Sequence, residues 1–154
     1  MAGQSSQFSR LYIETAAGGG QTAPLITAMT KINGITSITG IEGGETPDVA
    51  VTDLDSVAVE VVAGVPDFGE VTLEINEINN DSGQGLLRTA WQNGELRWFA
   101  LDVRLPGATA SWSRRFFRGI VRSVPLSLAA GEAQTRTVNI RTSGAMSSAT
   151  TVNT

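Results

Sequence analysis

Cysteine and histidine are both absent from this chain of 154 residues. Without cysteine there can be no disulfide, no thiolate metal site and no thiol nucleophile. Without histidine the usual zinc sites disappear, together with every catalytic triad or dyad that relies on an imidazole. Aromatics are sparse, with three Trp and one Tyr, fewer than an aromatic-lined sugar cleft would need. No run is long and apolar enough to cross a bilayer, so no membrane partner is expected. The opening MAGQSSQFSR has neither a basic start nor an apolar stretch, so no secretory leader is expected and assembly is placed in the cytoplasm.

Positive charge is scarce in the first half. Between Met1 and Asp81 only Arg10 and Lys31 stand against twelve acids, whereas from Ser82 onward nine arginines stand against Glu95, Asp102 and Glu132. The two halves therefore carry −10 and +6, within a net charge of −4. Either neighbouring strands cancel these charges inside one fold, or copies of the chain meet acid to base.

The pattern that is present is mostly β. The length suits one domain with a real core, read here as residues 1–142 followed by a small polar tail, 143–154, that frays or is ordered by a neighbour. Leu11 and Ile13 alternate with Tyr12 and Glu14 in a first strand. The glycine-rich stretch 16–22 lacks the Gly-Lys-Ser/Thr ending of a phosphate loop and is read as a turn. Residues 25–41 read as two strands joined by a tight hairpin at Asn33-Gly34, where both positions tolerate positive φ. Residues 48–54 and 57–62 read as further strands. Val71, Leu73 and Ile75 alternate with Glu70, Thr72, Glu74 and Asn76, giving a strand with one wet face.

One helix is expected. Asp81 or Ser82 can cap it, Leu86, Leu87, Ala90 and Trp91 recur at helical spacing, and Gly94 stops it. Residues 95–105 are apolar on both faces, as in a central strand. Residues 112–128 exceed ordinary strand length, with Gly119 and Pro125 as bend points. There Phe116, Ile120 and Val124 are expected on one face and Phe117 and Val121 on the other. Pro106-Gly107 turns the chain, and Val138 and Ile140 point inward from the last strand.

Three constellations suggest chemistry, and each has a plainer reading. Asp53, Asp55 and Glu60 resemble a calcium loop, but Ala58 occupies the sixth position where such a loop needs glycine, so a solvated strand end is preferred and no metal or cofactor is expected. Asp67 and Glu74 could form a carboxylate pair for glycoside hydrolysis, yet acids on a polar strand are usually just solvated; no enzymatic activity is expected. Arg114, Arg115, Arg118 and Arg122 lie among Trp112, Phe116 and Phe117, as in a nucleic-acid surface. Because the chain is acidic overall, core aromatics and arginines paired with the acids of the first half are the preferred reading.

The order of elements from Gly64 to Gly144 resembles the tail tube (major tail) proteins of long-tailed bacteriophages. The resemblance is carried by the turn Gly64-Val65-Pro66-Asp67-Phe68-Gly69, the strand Glu70 to Ile78, the loop Asn79 to Asp81 and the helix with Gln84 and Leu87. It continues through the strand Leu96 to Leu105, Phe117-Arg118-Gly119-Ile120-Val121, and the closing strand Val138 to Gly144. It covers a little over half the chain. A secretion tube of the type VI kind shares this fold and is one alternative; a monomeric β-sandwich binding module is another.

The resemblance implies a mainly β fold of two packed antiparallel sheets forming a barrel-like sandwich flanked by one helix. It implies copies of the chain closing into hexameric rings that stack into a tube, in a virion tail, with a tape-measure protein and tail terminator or initiator proteins as partners. DNA would pass through without specific binding, because an acidic wall repels phosphates. Glu60, Glu70 and Glu74 are the candidate channel-facing carboxylates. A loop within Gly40 to Pro66 would reach the next ring, and Arg115 and Arg118 with Glu45 and Asp48 are the candidate inter-subunit residues.

Overall fold

Period-two alternation dictates most of what forms. In chain order the elements are β1 (Arg10–Glu14), β2 (Met29–Ile32), β3 (Ile35–Thr39), β4 (Asp48–Ala50), β5 (Val61–Ala63), β6 (Glu70–Asn76), α1 (Ser82–Asn93), β7 (Leu96–Arg104), β8 (Ser111–Ser123), β9 (Leu126–Ser127), β10 (Thr135–Thr142) and β11 (Thr150–Asn153). This computed structural model describes residues 9–16, 22–55, 57–105, 111–147 and 150–153. Residues 17–21 of the turn expected at 16–22, and the turn at Pro106-Gly107, lie outside the described residues.

Among the described residues nine strands form one antiparallel sheet in the order β2-β1-β7-β8-β10-β6-β3, with β11 on β8 and β9 on β10; β4 and β5 pair by themselves. The 13-residue β8 serves both halves of the sheet. One edge pairs with β7 over Trp112–Ile120, while the other takes β11 at Ser111–Arg114 and β10 at Gly119–Ser123. Gly119 is needed at that crossing, since a Cβ there would lie 2.7 Å from Ile140 Cγ2 and 2.8 Å from the Arg141 carbonyl oxygen.

The two ends of this sheet, β2 and β3, are separated in sequence by Asn33 and Gly34 alone, so the sheet must curl until its opposite edges approach. They do not pair with each other: among the described residues β2 bonds only to β1, and β3 only to β6. The hairpin expected at Asn33-Gly34 is therefore a corner. Gly34 takes φ 82°, but Asn33 does not take the positive φ that a two-residue hairpin would require of both. The result is mainly β and sandwich-like, an unclosed barrel whose halves pack face to face.

The core follows from the inward faces. Leu11, Ile13, Phe99 and Leu101 from one half meet Val71, Leu73, Ile75, Val138 and Ile140 from the other, and Leu87 and Ala90 of α1 close the packing. Phe99 and Phe117, directly opposite across β7 and β8, stack with centroids 5.2 Å apart. The helix begins at Asp81, whose side chain accepts from the Gln84 N–H, and ends at Gly94 in the left-handed region.

Two local expectations change. Phe116 and Ile120 share a face as read, and it is the outward one, but Val124 turns into the core, because a bulge in β8 opposite Asn139/Ile140 inserts one residue and flips the alternation. Towards the end of the chain Met146 is buried and β11 is hydrogen-bonded to β8, so these residues are part of the packing.

Candidate assembly surfaces

The sequence motif around Asp67 becomes a latch. One Asp67 oxygen accepts the Gly69 N–H at 2.8 Å, and the other meets the Arg141 guanidinium from β10 in a short ion pair. The hydrogen bond from Arg141, with that from Gly69, holds the Asp67 carboxyl below the usual carboxylate range. The Thr142 N–H donates to the Gly69 carbonyl. The turn and the end of the closing strand are thus one unit.

Immediately before that latch, residues 45–65 leave the main body as an arm. The Gly64 N–H donates to the Pro47 carbonyl at 2.7 Å and the Asp67 N–H to the Glu45 carbonyl at 3.1 Å, closing its base; β4 and β5 pair above it. Val49, Leu54, Val57, Val59 and Val62 are all exposed on it, Leu54 and Val57 completely. The arm carries Glu45, Asp48, Asp53, Asp55 and Glu60, and no lysine or arginine lies between Lys31 and Arg88. At its tip the Asp55 N–H donates to Asp53 Oδ1, and among the described residues no three acids gather in a way that could hold a metal. Exposed apolar patches of this kind mark interaction sites in soluble proteins.

A second surface is the outward face of β6. Glu70, Thr72, Glu74 and Asn76 stand in line there, flanked by Thr137, Asn139 and Arg141 of β10 and by Ser37 and Thr39 of β3. The structure brings Glu70 and Glu74 together on this polar wall, whereas Glu60 sits apart on the arm. Glu70 pairs with Arg122 at 3.2 Å. Glu74 is exposed and makes no ion pair among the described residues.

The arginines of the second half largely find acids of the first. Arg115 meets Glu42 at 2.6 Å, Arg122 meets Glu70, Arg141 meets Asp67, and Arg136 and Arg88 converge on Glu77 at 2.9 and 3.1 Å. Glu77 is held below its usual range chiefly by the Arg136 hydrogen bond. The charge asymmetry of the sequence is in this measure neutralised inside one molecule. Arg118 lies over the Trp98 ring at 5.7 Å. The candidate inter-subunit residues fall in two places, Arg115 and Arg118 on β8, Glu45 and Asp48 at the base of the arm. Phe117 is core and Arg114 is committed to Asp102, so the arginine-aromatic run is not an open nucleic-acid surface.

Two arrangements went unread in the sequence. Asp102, fully buried, takes a bidentate Arg114 at 2.7 Å through each oxygen and Arg10 at 3.2 Å, while Arg10 lies 3.7 Å from the centre of the Trp112 ring. Asp102 raises the Arg114 pKa through that hydrogen bond. The alternation of β7 showed Asp102 among apolar neighbours, which was the available signal for a buried, paired acid. Gln84, 2% exposed, donates to the carbonyls of Asn33 at 2.8 Å and Asn76 at 2.9 Å and accepts the Ile78 N–H at 3.0 Å. It ties the corner between β2 and β3 to the end of β6.

No family model and no curated protein matches the chain. Solved structures do. The SPP1 tail tube superposes with a TM-score of 0.68 at 12% identity, covering 99% of this chain and 80% of that one. A chain of the anti-feeding prophage (AFP) baseplate, solved with 6-fold symmetry, gives 0.64 at 10% identity, covering 99% and 97%. A chain from the tail of an empty GTA particle, solved with C6 symmetry, gives 0.63 at 15% identity, covering 95% and 98%. With 95–99% of its length superposed on these structures, this chain has the tail tube fold.

Proposed function

We propose that the chain is the repeating structural subunit of a phage tail tube: copies close into six-membered rings, the rings stack, and the resulting channel conducts DNA out of the virion into a host. The observation that carries this reading is the arm, whose valines and leucine are exposed and whose carboxylates have no neighbouring cation along fifty and more residues of sequence. Among the described residues of the monomer these side chains stay exposed; in a stack the next ring would cover them. The six-fold symmetry of the AFP baseplate and the GTA tail supports a ring of six.

In this reading Glu70 and Glu74 face the channel on the polar wall of β6, and Glu60 faces a neighbour or the channel from the arm. A wall of Thr, Asn, Ser and a few carboxylates offers DNA no aromatic to stack on, and only cations already paired or stacked, so little counterion release favours sticking. Arg115 and Arg118 of one copy meet the Glu45 and Asp48 side of another. A tape-measure protein would fix tube length, and terminator or initiator proteins would cap its ends. Subunits would be made in the host cytoplasm and end in the virion tail.

The test is negative-stain electron microscopy of the purified protein across a concentration series. Rings or hollow tubes are expected; small monomeric particles at every concentration, including with an added tail initiator complex, would overturn the reading in favour of a binding module. Arg115→Glu with Arg118→Glu should lower the sedimentable tube fraction most at low salt, where charge contacts are least screened.

A further inference from the structure

Two of the seven asparagines in this chain precede a glycine, in Asn33-Gly34 and Asn93-Gly94. Such a pair can lose ammonia without any enzyme, which is one reason asparagine counts among the thermolabile residues. The nitrogen of the following residue attacks the asparagine Cγ, and glycine, having no Cβ, leaves that nitrogen unshielded. In a folded chain the outcome depends on what holds the nitrogen and what holds the amide.

The fold treats the two pairs differently. Asn93 is the last residue of α1, and the Gly94 N–H is held in the closing turn by the carbonyls of Ala90 and Trp91. Ring closure there has to break these bonds and turn the last peptide out of the helix. Asn93 is therefore protected by its cap.

At the corner between β2 and β3 the same atoms are arranged for attack. Among the described residues no acceptor takes the Gly34 N–H. Gln84, 2% exposed, donates through Nε2 to the Asn33 carbonyl at 2.8 Å. That carbonyl belongs to the same peptide as the Gly34 nitrogen, so a donor fixed on it makes the N–H more acidic and stabilises the anion that attacks. The side chain is placed as well: Asn33 Nδ2 donates to Asp81 Oδ1 at 2.6 Å, which holds one rotamer in place of several. Asn33 is exposed, so water reaches it. The corner also requires the glycine that makes the pair labile. Gly34 takes φ 82°, and a Cβ there would lie 2.6 Å from the Asn76 carbonyl oxygen.

We infer that Asn33 is a site of spontaneous deamidation, with Gly34 supplying the nucleophile and Gln84 the donor that activates it. The Gly34 nitrogen gives its proton to solvent and bonds to Asn33 Cγ; the Cγ–Nδ2 bond breaks, and the amide nitrogen leaves as ammonia with a proton taken from water. A second water then opens the cyclic imide at either carbonyl, leaving aspartate or isoaspartate at position 33. Nothing is oxidised or reduced. Aspartate sets a carboxylate against Asp81 where an amide donor had been, and isoaspartate adds a methylene to the backbone of the corner. Either product loosens the junction between the two ends of the sheet.

The test ages the full chain, folded and in urea, side by side at mildly alkaline pH, and follows both asparagines by peptide mapping with mass spectrometry. In urea the two pairs should convert at similar rates, because only their shared sequence remains. In the folded chain Asn33 should keep its urea rate or exceed it, while Asn93 slows by about tenfold or more, the factor that one retained hydrogen bond gives. Folding that slows Asn33 as much as Asn93, or conversion of Asn93 first, would overturn the assignment. As a second measurement Asn33→Asp, which is one of the two products, should melt about 4 °C below the parent; an unchanged melt would remove the structural consequence. Both measurements are made at concentrations below ring formation, so neither depends on the tube.

Discussion

Replacing Gln84 by leucine tests what holds the curled sheet together. The side chain is buried and satisfies three backbone groups, the carbonyls of Asn33 and Asn76 and the Ile78 N–H. Leucine fills similar volume but bonds to none of them. Each backbone group left buried without a partner costs about 1–3 kcal/mol. Partial access of water to the Ile78 end, and roughly 1 kcal/mol returned by the extra apolar burial, bring the net loss to about 3 kcal/mol. For a domain of this size that is a fall in Tm of about 6–12 °C. Urea unfolding of the monomer measures the loss directly, and amide exchange should quicken at Asn76, whose N–H donates to the Gly34 carbonyl across the same corner. Gln84→Glu sharpens the test. Its carboxylate would face two carbonyl oxygens, so its folded pKa must lie above the unfolded value of about 4.3. The variant should therefore be nearest to the parent below that value and lose stability as pH rises through the folded pKa. A Gln84→Leu variant within about 0.5 kcal/mol of the parent, or a Gln84→Glu variant with no added pH dependence, would show that the amide does not hold this corner.

Three further outcomes are expected. Gly83→Ala places a Cβ 2.4 Å from the Lys31 carbonyl oxygen and 2.6 Å from Ile32 Cα, pushing α1 off β2 at a cost of about 1–3 kcal/mol, whereas Gly85→Ala, which meets nothing within 4 Å, should be neutral or slightly stabilising in the same thermal melts. Glu77→Gln strips the shared counterion from Arg136, 12% exposed, and Arg88, costing about 3 kcal/mol at pH 7. Because Glu77 is depressed in the folded chain, its contribution is full above the ordinary value of 4.5 and lost as pH falls through the folded pKa, so the variant's stability should decline less steeply in acid than the parent's. Finally, Leu54→Asp with Val57→Asp, both on the exposed arm, should leave the monomer's melting temperature unchanged and rings intact while stacked tubes disappear from electron micrographs; tubes of normal length would remove the arm from the axial contact.

Some of this was legible from residues alone because the signal is local. The helix could be read from Asp81 to Gly94 because capping, apolar spacing and a terminal glycine lie within a dozen residues, and the structure places its cap and stop at those positions. Alternation in 70–76 gave β6 and its wet wall. What failed was non-local. The Asn33-Gly34 dipeptide has the composition of a hairpin, but whether its flanking strands pair depends on which other strands compete for their edges, and β1 and β6 win. Val124 reversed its face because a bulge depends on the partner strand. Gln84 and Asp102 look like ordinary polar residues until the elements around them are assembled.

By itself the sequence determined the fold class, the single helix, the absence of thiol and imidazole chemistry, and the unequal charge of the two halves. Only the tertiary structure decided which of those charges meet. Arg115 with Glu42 and Arg122 with Glu70, 73 and 52 positions apart, pair within one molecule, while the acids of the arm sit on an exposed projection that carries no lysine or arginine of its own. Charge pairing falls off over a few ångströms, whereas sequence records only order along the chain. Which acids are paired within the molecule is therefore settled only when the sheet has curled.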